Sequence, residues 1–237
     1  MDRIQPVTKE MEAVMWEPTV ESVMTKQVVT ARPDTPFKEL VAAMSERRVS
    51  GLPVVDAEGK PAGVVSEADT LAKQEYQGGM VPRPLFAGRK RRARWHKAAG
   101  LTARELMTAP AVVIRENDTV GAAARVLAKK NVRRLCVVDE AGKLVGIVSR
   151  HDVIGTFLRD DDAIRADVEE HVFKRGMWLF PETLTAEVVA GVVTLDGAVE
   201  RRTTAQIAGQ LTSAVPGVVG VHNKVRYELD DSVSTAL

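Results

Sequence analysis

The sequence predicts an α+β protein: two tandem β-α-β-β-α units that pack together, followed by a small α-β-β-α-β domain. Three observations predict it. Shifted by 83 positions, Val49 to Asp69 matches Val132 to Asp152 at 11 of 21 residues, which marks a tandem duplication. Each copy places a β-branched run before a helical pattern and a hairpin pattern. After Leu158 the composition turns acidic, with thirteen Asp and Glu against eight Lys and Arg over residues 159–237, and the apolar pattern changes.

In the first unit, Val28-Val29-Thr30 reads as a short strand and Pro33-Asp34-Thr35 as turn and cap chemistry. Phe37, Leu40, Val41 and Met44 then recur at helical spacing. Leu52 to Val55 and Ala62 to Val65, joined by Asp56-Ala57-Glu58-Gly59-Lys60, read as a hairpin, and a helix starts near Ser66. The second unit repeats the order through Val112 to Ile114, a helix containing Val120, Val126 and Leu127, strands Leu135–Val138 and Leu144–Val148, and a helix from Ser149. Three strands and two helices are too few to bury a core alone, so the two units are expected to fold as a pair. The resulting division is an N-terminal segment 1–18, unit one 19–75, a basic insert 76–101, unit two 102–158, a third domain 159–230 and a tail 231–237.

Composition narrows the function classes. A chain of 237 residues with 45% hydrophobic and 27% charged residues has enough apolar content to fold, and its net charge of +1 excludes a protein that is basic overall. The single cysteine, Cys136, can form neither an intramolecular disulfide nor a thiolate cage for zinc, which fits a reducing compartment. No stretch approaches the roughly 18 apolar residues of a spanning helix, and the N-terminus lacks the pattern of an export signal. A cytoplasmic protein is expected.

The repeated chemistry is Gly-hydrophobic-Val-Ser-x-x-Asp, at Gly63 to Asp69 and again at Gly146 to Asp152. Serine followed by an acid three residues later is close to a capping box, which satisfies orphan amides at a helix start with no ligand involved. The same strand-to-helix junction can instead present amides and a hydroxyl to a phosphate or ribose, with the carboxylate accepting two hydrogen bonds from a vicinal diol. These motifs, from about Thr19 to Leu158, resemble the cystathionine-β-synthase (CBS) domain, a module that occurs in tandem pairs and is similar to a sensor of adenine nucleotides. The resemblance implies Asp69 and Asp152 as ribose carboxylates, and Ser66 and Ser149 as ribose or phosphate hydroxyls. It implies an adenine slot at Val28, Val29 and Thr30 with Gly51, Pro53 and Val54, and at Val112, Val113 and Val137 in the second unit. Arg133 and Arg134 would face phosphates. Unit two departs from unit one, since Arg134 and Cys136 stand where Gly51 and Pro53 do. The resemblance also implies a homodimer and an adenosyl regulatory ligand, with no required cofactor.

The insert from Tyr76 to Gly100 carries seven Lys or Arg and no acid, whereas residues 1–75 hold nine bases against thirteen acids. Its densest part, Arg89, Lys90, Arg91, Arg92, Arg94 and Lys97 around Trp95, is compatible with a short basic helix. It reads as a solvated linker complementing acidic neighbours, or as a contact for nucleic acid, an anionic membrane surface or a polyphosphate ligand.

In the third domain Ile164, Val168 and Val172 suggest a helix, and Glu187–Val189 with Val192–Gly197 a hairpin. Ile207, Leu211 and Val215 suggest one face of a second helix stopped by Pro216-Gly217, and Val218–Tyr227 a last strand. Asp196-Gly197 after a Val-rich strand, with Pro216-Gly217-Val218-x-x-Val221-x-Asn223, resembles the BON domain, a small bacterial module, over roughly Asp160–Glu228. That resemblance implies an interaction domain.

The histidines, His96, His151, His171 and His222, fall in separate segments, with no metalloprotease pair, nucleophile elbow or phosphate-binding loop. Cys136 sits in an apolar strand and reads as a buried inert thiol. The expectation is a non-catalytic regulator that binds adenosyl ligands and signals through the BON domain. The alternative is a ligand-independent dimeric scaffold that uses the basic insert.

Overall fold

The computed structural model describes residues 18–76, 88–178 and 183–231, with the side chains of Arg89 and Lys90 left out of account. The chain divides into two compact units, one made of residues 20–118 and 122–150, the other centred on residues 151–231.

The first compact unit holds the repeat. Its elements are α1 (Val20–Val23), α2 (Phe37–Arg47), β1 (Gly51–Val55), β2 (Pro61–Ser66), α3 (Glu67–Glu75), α4 (Arg89–Ala99), α5 (Ala103–Leu106), β3 (Val113–Arg115), α6 (Val120–Lys130), β4 (Arg134–Val138) and β5 (Leu144–Ser149). Helix α7 (Arg150–Gly155) follows β5. Both predicted hairpins form, β1 with β2 and β4 with β5, each antiparallel. Their turns pass through Gly59 at φ 83° and Gly142 at φ 77°, a conformation that glycine adopts without strain.

The copies differ at the strand expected over residues 28–30. In unit two, β3 pairs in parallel with β4, and Cys136 N–H and Glu116 N–H donate to the Val112 and Val138 carbonyls. The positions related to Cys136 and Glu116 by the repeat are Pro53 and Pro33, which have no N–H to donate. Unit one therefore keeps the single bridge Ala31 to Val54 there, and Val28 to Thr30 lie outside any strand.

The short helix ahead of each copy packs on the other copy. Ala103 and Leu106 of α5 are fully buried in a core with Leu40, Leu52, Val54 and Val65 of unit one. Val20, at the start of α1, is fully buried, and its N–H donates to Asp118 O at 2.8 Å. Thr25 and Ile147 exchange two backbone hydrogen bonds of 2.9 and 3.0 Å, and Thr108 and Val64 exchange their counterparts of 2.8 and 3.1 Å. The glycine that opens each motif is set by this exchange. A Cβ on Gly63 would lie 2.6 Å from Met107 Sδ, and one on Gly146 would collide with Met24 Sδ.

The second compact unit contains the third domain. Helix α8 (Asp161–Asp167) continues as a π-helix over Val168–Gly176, and Ile164, Val168, Val172 and Phe173 are buried along it. Strands β6 (Leu184–Val189) and β7 (Val192–Arg201) form the expected hairpin, followed by α9 (Arg202–Ser213), β8 (Gly220–Asn223) and β9 (Arg226–Leu229). Two expectations are corrected. The buried face of α9 is Ala205, Ala208 and Thr212, with Ile207 45% exposed and Val215 buried in the turn beyond the helix. Small residues let the helix lie close to the sheet, and a Cβ on Gly209 would be 2.8 Å from Asn223 Nδ2.

The last strand is two strands, each parallel to a different half of β7. Between those halves Gly197 sits at φ 134° with no room for a Cβ beside Thr183 O. Opposite, Asn223 ends β8 by donating to Ala205 O at 2.6 Å and accepting from Val225 N–H at 3.1 Å.

Glu105 fixes the start of α5. Its Oε2 accepts from Leu101 N–H at 2.6 Å and Thr102 N–H at 3.1 Å, and these bonds hold its carboxyl below the ordinary value of 4.5. The stabilisation is present above pH 4.5 and is lost as pH falls through the lower folded value. Glu105→Gln should therefore lower the urea midpoint at pH 7, and the difference from wild type should shrink as both are measured at increasingly acidic pH. A difference independent of pH would refute the charge-assisted cap.

Candidate functional site

The site is built where β2 runs into α3. Ser66 ends the strand with extended φ and ψ of −118° and 164° and caps the helix. Its N–H and hydroxyl both donate to Asp69 Oδ2, at 2.9 and 2.6 Å, so the capping arrangement is formed. Asp69 Oδ1 accepts from Lys97 Nζ at 2.6 Å, and the same ammonium reaches Thr108 Oγ1 at 2.7 Å.

A cavity of about 440 Å³ opens beside this junction, within the size range of small-molecule sites. Ser66, Asp69 and Leu71 come from unit one; Thr108, Val112, Arg133 and Arg134 come from unit two, brought alongside by the exchanged α5. Five of the residues singled out from sequence thus line one cavity: Ser66, Asp69, Val112, Arg133 and Arg134.

The others lie elsewhere. Val54 and Val137 are fully buried in β1 and β4, and Gly51 and Pro53 are buried in β1. Val28 and Val29 are half-buried, while Thr30 and Val113 are exposed. Ser149 ends β5, and Asp152 lies in the first turn of α7.

Arg134 answers the difference between the copies. Its Nη1 donates to Gly51 O at 2.9 Å and its Nη2 to Ser50 Oγ at 2.6 Å. Gly51 and Arg134 are equivalent positions of the repeat, and a Cβ on Gly51 would lie 2.9 Å from Arg134 Nη1. The glycine in one copy makes room for the arginine of the other. Burial lowers the guanidinium's pKa, Glu67 opposes that shift and Arg133 adds to it, while Arg134 stays charged at neutral pH.

The basic insert is docked on α3. Ala98 is fully buried with Ala72 and Tyr76, and Trp95 packs against them half-buried. Lys73 Nζ donates to Ala98 O at 3.1 Å, and Arg94 pairs with Glu75 at 2.5 Å. The solvated-linker reading is corrected in part: the segment is a docked helix, while Arg91, Arg92 and Arg94 stay exposed and Arg94 and Lys97 complement the acidic Glu75 and Asp69. Residues 77–87 lie outside the described residues.

With this geometry, the matches to known families fall on the expected segments. The sequence matches the CBS domain over residues 20–75 and 103–159 and the BON domain over residues 160–228. The chain is a tandem CBS-pair protein with a BON domain. Its CBS pair is similar to the crystal structure of CBSX2 from Arabidopsis thaliana in complex with AMP, at 32% identity and a TM-score of 0.50 over 59% of this chain and 96% of that one. The chloroplastic CBS domain-containing protein CBSX1 of the same plant is 32% identical over 154 residues, 60% of this chain and 64% of that protein. The inosine-5'-monophosphate dehydrogenase of Aquifex aeolicus is 28% identical over 151 residues, 63% of this chain but only 26% of the enzyme. The chain thus spans somewhat under two thirds of CBSX1 and a quarter of the dehydrogenase.

Cys136, in the CBS pair, is 1% exposed, and burial pushes its thiol up to about 11, which leaves it protonated and unreactive at neutral pH. Among the described residues no cluster of His, Cys, Asp and Glu could hold a metal ion, and no helix is long and apolar enough to cross a membrane. Sequence reasoning missed Lys97 and Thr108 as neighbours of Asp69. Thr19-Thr102, Met24-Met107 and Thr25-Thr108 repeat at the same shift as the motif, a signal that these segments are structurally equivalent.

Gly51→Ala should destabilise the pair by about 1–3 kcal/mol in urea unfolding, because its methyl meets both Arg134 and the Val65 carbonyl oxygen. Adding Arg134→Ala should recover part of that loss but not all, since the backbone contact remains. Strict additivity would show that the two positions do not share space.

Proposed function

We propose that the CBS pair binds an adenosyl nucleotide in the 440 Å³ cavity and that the protein is a regulator responding to its occupancy. The observation that carries the reading is the meeting of a serine-aspartate pair at a helix start with two arginines from the other copy. Asp69 has the acceptor geometry for a ribose diol, the amides at the start of α3 and the Ser66 hydroxyl suit a polar edge, and Arg133 and Arg134 supply charge for phosphate. Val112 and Leu71 offer apolar surface to a base. The 32% identity to CBSX2, whose structure holds AMP, supports the same ligand class here.

In this reading the BON domain passes occupancy to a partner, the pair works as a homodimer, and no catalysis is involved. The reading is supported by the similarity to inosine-5'-monophosphate dehydrogenase being confined to 26% of that enzyme. A ligand shifts the protein only by its difference in affinity between arrangements, so the output depends on whether nucleotide favours one packing of the pair.

Thermal unfolding with AMP, ADP, ATP, S-adenosylmethionine and guanine controls tests the binding. At about 100 times its dissociation constant an adenine ligand should add roughly 2.7 kcal/mol. Asp69→Asn, which keeps the shape of the side chain and removes its charge, should weaken that ligand at least about tenfold, the order of a lost charged hydrogen bond. A folded Asp69→Asn protein with wild-type nucleotide affinity would contradict the site.

A further inference from the structure

We propose that Lys97, the last cation of the basic helix, makes this site select adenosyl ligands that carry a phosphate over bare nucleosides; the inference rests on the nucleotide reading above. The Asp69 carboxylate offers about four lone-pair sites. Oδ2 already takes two donors from Ser66, and Oδ1 takes the Lys97 ammonium at 2.6 Å. A ribose diol donating twice to Oδ1 therefore displaces Lys97.

The backbone that carries Lys97 is held on both sides. Ala98 is fully buried and its carbonyl is bonded to Lys73, while Arg94 is paired with Glu75. Two residues beyond Ala98, buried Gly100 is closely packed, since a Cβ there would lie 3.1 Å from Glu105 Cβ, and the chain then enters α5 in the core. Only the long side chain of Lys97 is free to swing. Once released from Asp69, its ammonium still has Thr108 Oγ1 in reach, at the wall of the cavity.

The identity of the ligand then decides the outcome. The Lys97 and Asp69 side chains are only 16% and 13% exposed, so separating them strands a poorly solvated ammonium. A phosphate on the ligand gives that ammonium a new anionic partner, and the exchange of one ion pair for another costs little. A nucleoside gives it none. Lys97 thereby penalises nucleosides, in addition to whatever Arg133 and Arg134 contribute to phosphate binding.

Calorimetric titration of the full chain with adenosine and AMP, wild type against Lys97→Met, tests this. Methionine keeps the apolar stem and removes the charge. The variant should bind adenosine about five- to tenfold more tightly, the order of one part-buried ion pair, and AMP with a smaller change, so that the preference for AMP narrows. Lys97→Gln should do the same and serves if the methionine variant melts early. Unchanged or weaker adenosine binding in a folded variant overturns the selection by Lys97 while leaving the nucleotide site standing. If wild type and variants bind neither compound, the nucleotide reading falls and the selection falls with it.

Discussion

Leu106 is buried in the half of the CBS pair to which, by sequence, it does not belong, and Val20, also buried, bonds across to Asp118 O of the other half. Around them the chain repeats the same exchange twice: a short helix, a methionine seated on a motif glycine, and a pair of backbone hydrogen bonds to the neighbouring hairpin. Neither copy has a closed core without the other, which is the physical content of a tandem pair. The exchange also makes the site. Because α5 lies on unit one, Thr108 and Val112 come to stand beside Ser66 and Asp69, and Arg133 and Arg134 complete the opposite wall.

Asp69 sits at the centre of the electrostatics. One oxygen secures the start of α3 and the other holds the basic helix through Lys97, so a single carboxylate couples a helix cap to the docking of the insert. The capping and ligand-binding readings of the motif are therefore not exclusive. The carboxylate is held in place by Ser66 and Lys97, and its side chain is only 13% exposed.

Much of this was legible in the sequence because it is local. The hairpins follow from apolar runs flanking Asp-x-x-Gly-Lys turns, and Ser66 and Asp69 follow from a three-residue spacing. What was lost depended on absent or distant groups. The strand at Val28 to Thr30 has the right side chains, but Pro33 and Pro53 remove the donors that would have held it. The last strand alternates correctly through Tyr227, yet Gly197 in its partner and the Asn223 side chain break it in two. In α9 the large residue Ile207 was a poor guide, since the packed face is made of Ala205 and Ala208. The insert looked solvated because its charge outweighs Trp95 and Ala98, the two residues that dock it. Arg134 stands where the first copy has Gly51, and the space that this glycine leaves for it is a contact between distant segments that no local pattern encodes.

A crystal structure of the chain grown with AMP tests the composite site most directly. The account predicts the ribose on Asp69, the phosphate near Arg133 and Arg134, and Lys97 withdrawn from Asp69 toward that phosphate. AMP bound away from Ser66 and Asp69, with the Lys97 to Asp69 contact intact, would contradict it.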